Sequence, residues 1–248
     1  MSDSLPARPP LAGQEPELPE VVDRATWQAR LDELRAREKA QTRESDAIAA
    51  ARRRLPMVEM DPTIPLVGPE GPVSLLETFE GRSQLVVFYH MWHEGQLWQD
   101  QCEGCTFYTS QVRELSYLHS RDVTYAIFSQ GPYQESVAYH EFMGWEMPWY
   151  SAKDSLEPLL YGRGPFVLAC YLRQGDRVFE TYWTTRRGVE GMAPTYQLLD
   201  LTPYGRQETW EDSPPGWPQP FPVTGAQQRT NGRPTAQWPR LAARAAAE

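Results

Sequence analysis

Two cysteines three positions apart, Cys102-Glu103-Gly104-Cys105, are the residues of this 248-residue chain whose types and spacing carry chemistry most directly. They follow an apolar run that reads as a buried strand, and they stand at the predicted start of a helix. There the first thiol lies beside unsatisfied helix N–H groups and the positive end of the dipole, both of which favour a thiolate. The second thiol lies one turn further in, within reach of a mixed disulfide formed by the first. Cys102 is therefore the expected nucleophile and Cys105 the expected resolving thiol. Gly104 is expected to let the chain turn tightly into the helix and counts as substrate-binding. Glu103 works in the opposite sense, because a carboxylate between the sulfurs opposes thiolate formation.

The same thiols support a second chemistry. His90-x-x-His93 precedes them, and two imidazoles with two thiolates make a complete tetrahedral set for zinc, or a soft site for copper(I). Against this, His90 falls in the predicted strand and His93 just past it. Side chains three apart in an extended chain point to opposite faces, so the loop from His93 to Cys102 would have to bend them back. The plainer expectation is that both histidines hydrogen-bond near the end of a sheet, with His93 able to assist proton transfer to a leaving thiol. Cys170, inside an apolar strand, reads as a core thiol. Trp92, Trp98, Trp145 and Trp149 read as packing, some of them beside the cysteines. No Gly-rich phosphate loop, Ser-His-Asp arrangement or helical H-E-x-x-H is present.

The elements that must position these residues follow from periodicity. Residues 24–55 are rich in good helix formers, with apolar patches at Trp27, Leu31 and Leu34 and at Ala47, Ile48, Ala51 and Leu55. Pro56 stops that helix. A mostly solvated helix packed at its two ends fits the pattern better than a partner helix in a dimer. Gln84 to Met91 is nearly all apolar or aromatic, as for a strand covered on both faces. A helix from the cysteines to about Ser120, a strand over Asp122–Ser129 and a helix over Gln134–Met143 follow, then an extended piece over Trp145–Ser151. Phe166–Leu172 and Arg177–Thr184 flank Gln174-Gly175-Asp176, a hairpin signal. Tyr196–Leu201 reads as a last helix or an irregular segment. Alternation of strand and helix followed by a hairpin implies parallel strands extended by antiparallel ones.

Composition bounds the rest. The hydrophobic fraction is 40% and the aromatic fraction 12%, enough to bury a core. A net charge of -9 argues against a nucleic-acid partner, which needs a basic surface. No apolar run approaches the ~20 residues of a membrane span. With no signal-like N-terminus either, a cytoplasmic location is expected. The 23 prolines crowd toward both ends. The expected organisation is a flexible arm over 1–22, a helix over 23–55, a folded domain over 56–212, and a Pro-rich tail over 213–248, disordered or lying as a strap.

The strings GPEGPVSLLETFEGRSQLVVFYHM, CEGCTFY, DVTYAIFS, MGWEMPWYS, TYWTTRRGVEGM and LLDLTPYGRQE resemble a bacterial thioredoxin-like family of unknown function, DUF 899, over roughly residues 25 to 212. The resemblance implies a thioredoxin-like fold near the peroxiredoxin branch, with the C-x-x-C at Cys102 and Cys105, and no settled activity. In such folds a cis-proline opens the strand facing the active site and offers backbone groups to an extended substrate. Pro165, about sixty residues past the cysteines, is the candidate, although prolines also open strands for geometric reasons. Thioredoxins carry Gly-Pro between their cysteines where this chain has Glu103-Gly104. Peroxiredoxins carry a Pro and a Thr or Ser where it has Gly95 and Gln99, which disfavours a dedicated peroxidase.

The expected fold class is α/β, a thioredoxin-like central mixed sheet flanked by helices with an N-terminal helical extension. The leading expectation for function is a thiol-disulfide oxidoreductase acting on a protein or small-molecule disulfide. An external thiol reductant would reset it, and no organic cofactor is needed. The alternatives are a metal-binding protein using His90, His93, Cys102 and Cys105, and a non-catalytic module holding a peptide or small molecule.

Overall fold

A computed structural model describes residues 16–220 and 226–245. Helix α1 (Arg24–Arg52) starts where Asp23 accepts the Thr26 N–H at 2.9 Å. That bond satisfies one of the donors a helix start leaves open. None of its residues is buried, and near its C-terminal end the Arg52 guanidinium lies 4.5 Å over the Tyr182 ring. The first fifteen residues of the expected arm lie outside the described residues. Glu17 does not lie free: its N–H donates to the Gly216 carbonyl at 2.9 Å.

Strands β1 (Val58–Met60), β2 (Pro65–Gly68), β3 (Gly71–Ser74) and β4 (Gln84–His90) follow. Next come α2 (Glu103–Gln111), α3 (Ser116–His119), β5 (Val123–Ser129), α4 (Tyr133–Met143), β6 (Trp149–Ser151) and α5 (Leu156–Leu160). Then follow β7 (Val167–Gln174), β8 (Arg177–Thr185) and α6 (Pro194–Leu199). The described chain closes with a small hairpin, β9 (Arg229–Thr230) and β10 (Arg233–Pro234), and with α7 (Trp238–Ala245). Eight strands form one mixed sheet in the order β1-β8-β7-β4-β5-β6-β2-β3. β4, β5 and β6 run parallel, while β7 pairs antiparallel with β4 and then with β8. The fold is thus mixed α/β.

Because successive side chains of a strand point to opposite faces, β4 divides its residues between two cores. Leu85, Val87 and Tyr89 join Phe79, Leu159 and Tyr171 on one face. Phe88 joins Cys105, Tyr139, Trp145 and Trp149 on the other, where α2 and α4 pack. No helix among the described residues is long and apolar enough to cross a membrane.

Two departures from the sequence expectations bear on the site. The helix expected to reach Ser120 stops at Gln111, where Val112 turns extended; a new helix restarts at Ser116, whose N–H donates to the Glu114 carboxylate at 2.8 Å. Of the two expectations for the tail, residues 226–245 depart from the disordered appendage and not from the strap lying over the domain, since they carry the hairpin and α7 and pack against the start of α2. The polar side chains of this segment explain that packing: Arg229 and Gln237 donate to the carbonyls of Gln99, Gln101 and Trp98. Residues 221–225 and 246–248 of that tail lie outside the described residues.

Candidate functional site

Cys102 caps the start of α2. Its Sγ accepts the Cys105 N–H at 3.3 Å, and the Cys105 Sγ accepts the Met91 N–H at 3.3 Å at the end of β4. The two thiols therefore sit where strand hands over to helix, in unlike surroundings. Cys102 keeps 8% of its surface exposed and Cys105 none. A hydrogen bond from the Cys105 thiol, outweighing the cost of burial, holds the Cys102 pKa below the ordinary thiol value, with backbone N–H groups of Cys105 and Gly104 helping. The Glu103 charge acts against it. Complete burial drives Cys105 the other way, well above the ordinary value, and its bond to Cys102 adds to the rise. The outer thiol is the acidic one and the inner thiol stays protonated.

Glu103 is not left to oppose the thiolate alone. Arg229, at the start of β9, donates to its carboxylate at 3.0 Å, and to the carbonyls of Gln99 at 2.8 Å and Gln101 at 3.0 Å. Arg233 donates to the Gln99 side chain at 2.9 Å. Gln237, wholly buried, donates to the Trp98 carbonyl and to the Tyr139 hydroxyl, both at 2.7 Å. Tyr139 in turn bonds Thr106 on α2 at 3.0 Å. The chain's last described elements thus hold the entry to α2 and neutralise the one carboxylate in the motif. On the other side Gln101 clamps the loop after β4, accepting the His93 N–H and donating to the His93 carbonyl, each at 2.9 Å.

The four residues of the metal reading do not converge. His90 is fully buried, its Nδ1 3.0 Å from the Thr109 hydroxyl and its ring against Tyr139, Trp145 and Trp149. Its Nε2 has no partner. Burial pushes its pKa down to about 3, so the ring is neutral in this site. His93 is exposed on the loop beyond. Among the described residues no three of His, Cys, Asp and Glu are grouped to hold a metal ion. The opposite-face geometry of an extended chain is what separates the two imidazoles.

Gly104 has no left-handed backbone, so the tight-turn reason for it does not apply. What a side chain there would meet is different: a Cβ would stand 3.5 Å from the Gln228 amide oxygen, 3.8 Å from the Phe166 ring and 4.0 Å from the Cys102 sulfur. Gly104 is the point where tail, β7 entry and thiol crowd together. Pro165 precedes Phe166 there, but no peptide bond among the described residues is cis, so the cis-proline candidate is corrected to a trans one. Its carbonyl accepts a bond from the Gln130 side chain, and the Phe166 carbonyl one from Thr185. Cys170 is half-buried on β7, in a hollow with Arg52 and Tyr182 under the end of α1; burial raises its pKa to about 11. The tryptophans pack as expected: the Trp92 ring occupies the space a Cβ on Gly131 would need, and its Nε1 donates to Glu135 at 2.9 Å.

Arg229, Arg233 and Gln237 escaped the sequence reading. One local signal was there, Asn231-Gly232, whose positive φ values of 50° and 76° make the turn of the small hairpin. Nothing in the sequence showed what that hairpin would touch.

A cavity of about 350 Å³ opens beside the motif, lined by Glu103, Thr106 and Phe107 of α2, by Tyr196 and Leu199 of α6, and by the tail.

Among solved structures, this chain is similar to a protein assigned as a thiol:disulfide interchange protein, DsbE, from Chlorobium tepidum, at 13% identity. The likeness covers 57% of this chain and 95% of that one at a TM-score of 0.37, too loose to argue from. No curated protein matches. A family model does match, over residues 16–227, and by that match the chain belongs to the family described as "Bacterial protein of unknown function (DUF899)".

Proposed function

We propose that this protein is a thiol-disulfide oxidoreductase on a thioredoxin-like scaffold. The observation that carries the reading is the asymmetry of the pair: a slightly exposed thiol of lowered pKa caps a helix, and a fully buried thiol of raised pKa lies one turn behind it. That is the division of labour a dithiol exchange needs. The Cys102 thiolate attacks one sulfur of a substrate disulfide, the substrate S–S bond breaks, and one half leaves as a thiol. Cys105 loses its proton and attacks the Cys102 sulfur, releasing the second half as a thiol and leaving a Cys102–Cys105 disulfide. The protein gives up two electrons, and two equivalents of an external thiol restore it.

The scaffold reading rests on the strand run β8-β7-β4-β5, with β4 and β5 parallel and joined through the cysteine-bearing helix, and β7 and β8 antiparallel beside them. The remaining strands extend that unit at both edges.

Intact mass before and after mild oxidation, with alkylation of free thiols, tests the function. A loss of two hydrogens and of two alkylation sites, reversed by a thiol reductant and absent in Cys102→Ser, is expected. Cys105→Ser is expected to accumulate a mixed disulfide at Cys102. Thiols that stay free under oxidation, or alkylation as fast at Cys105 as at Cys102, would overturn it.

A further inference from the structure

The cavity beside the motif bears on what the dithiol acts upon. Phe107, Tyr196, Leu199, Pro234 and Ala236 give it mainly apolar walls. At about 350 Å³ it is at the small end of the range for small-molecule sites and far below what a folded partner would occupy. Both charged side chains on its wall are already paired. Glu103 is held by Arg229. Arg206 donates to both oxygens of Asp200, at 2.7 and 2.6 Å, and to Glu190 at 2.9 Å, with its guanidinium 4.4 Å over the Tyr196 ring. A charged ligand would enter without a free counter-charge from either, at a desolvation cost.

Cys102 lies just behind the cavity wall, next to Glu103 on it, and the Gln228 side chain stands between the cavity and the thiol. That side chain lines the cavity, and its amide oxygen stands 3.5 Å from the Cβ position of Gly104, itself 4.0 Å from the Cys102 sulfur. An extended peptide finds less here. Cys102 shows 8% of its surface, and the carbonyls of Pro165 and Phe166 at the facing strand entry are taken by Gln130 and Thr185.

We infer that the cavity under the C-terminal hairpin is the substrate site of the dithiol, and that it takes uncharged, partly apolar disulfides of low molecular weight rather than protein disulfides. The inference rests on the oxidoreductase reading above. The chemistry is the exchange already written, with the apolar half of the disulfide seated between Phe107 and Leu199 and the other half leaving as the first thiol.

Two measurements test it separately. The first is stopped-flow oxidation of the reduced protein by benzyl 2-hydroxyethyl disulfide, by oxidised glutathione and by insulin. The neutral aromatic disulfide is expected to react fastest, and filling the cavity by Leu199→Trp, or more mildly by Ala236→Leu, to slow it about tenfold, as for a lost pocket contact. Equal rates for wild type and both filled variants, or insulin as the fastest substrate, would overturn the site while leaving the exchange reaction intact. The second is ligand-observed NMR with the unreactive thioether, benzyl 2-hydroxyethyl sulfide, on Cys102→Ser protein, where no redox step takes part. Binding that Leu199→Trp abolishes supports the site. An absence of binding overturns it, whatever the cysteines do.

Discussion

Acid is expected to weaken this fold through the imidazole of His90, and the size of the effect follows from where that ring sits. The ring lies against Tyr139, Trp145 and Trp149 with Nδ1 at the Thr109 hydroxyl, and burial is the main cause of its lowered pKa, with His93 acting in the same direction. In the unfolded chain the ring takes a proton near pH 6.5; in the folded chain it resists until about pH 3. The stabilising effect is therefore complete above pH 6.5 and is lost as the pH falls from there toward 3, since the unfolded state alone binds the proton. Each pH unit inside that window is worth about 1.4 kcal/mol. Between pH 7 and pH 4 the loss from this one group comes to about 3 kcal/mol, a large part of the ~5–15 kcal/mol that holds a domain together. Urea titrations at pH 7, 5.5 and 4 on wild type and His90→Phe measure it. The variant gives up the bond to Thr109, costing about 1 kcal/mol at pH 7, but its stability should fall less steeply with acid. His140, also held below its ordinary value by burial, contributes equally to both proteins. Parallel curves for the two proteins from pH 7 to pH 4 would refute the reasoning.

Arg229→Gln should raise the pH at which Cys102 becomes alkylated, because Glu103 then faces the thiolate unneutralised; Glu103→Gln should lower it, and unmoved midpoints would mean the hairpin's charge does not reach the sulfur. Wild-type Cys102 itself should reach half its limiting alkylation rate below pH 9.0, the ordinary thiol value. Gln237→Leu removes the donor to the buried Tyr139 hydroxyl and one of the two donors to the Trp98 carbonyl, which keeps the Gln101 N–H at 3.3 Å, and the two lost bonds are expected to cost about 1–3 kcal/mol in urea unfolding. Cys170→Ala should leave the rate of disulfide formation unchanged, and at pH 8 Cys170 should alkylate more slowly than Cys102, since its pKa lies at about 11.

The parts of the site written in local pattern were legible in the sequence. The apolar run of β4 and the cysteines at the start of α2 declare themselves through burial and helix capping, which act over a few residues. The same local geometry separates His90 from His93. The hairpin over Gln174-Gly175-Asp176 was legible for the same reason, Gly175 taking a φ of 61°. What was not legible depends on distant partners. Glu103 read as an opposing charge because its partner lies in a segment whose Pro and Gln content suggested disorder. The break between α2 and α3 also has no local breaker; Val112 and Leu115 leave the helix yet still pack on the core.

The Arg229–Glu103 pair spans 126 positions of the chain, and that span has a consequence in time. A ribosome adding about 5–20 residues per second needs roughly 6–25 s to cover those 126 positions. During that interval α2 and then strands β5 to β8 are made, while the guanidinium that neutralises Glu103 is not. The nascent dithiol therefore passes through a stage in which its carboxylate is bare and the entry to its helix is uncovered. Synthesis of the β9 hairpin ends that stage, so the finished character of Cys102 is conferred only after Arg229 has been made.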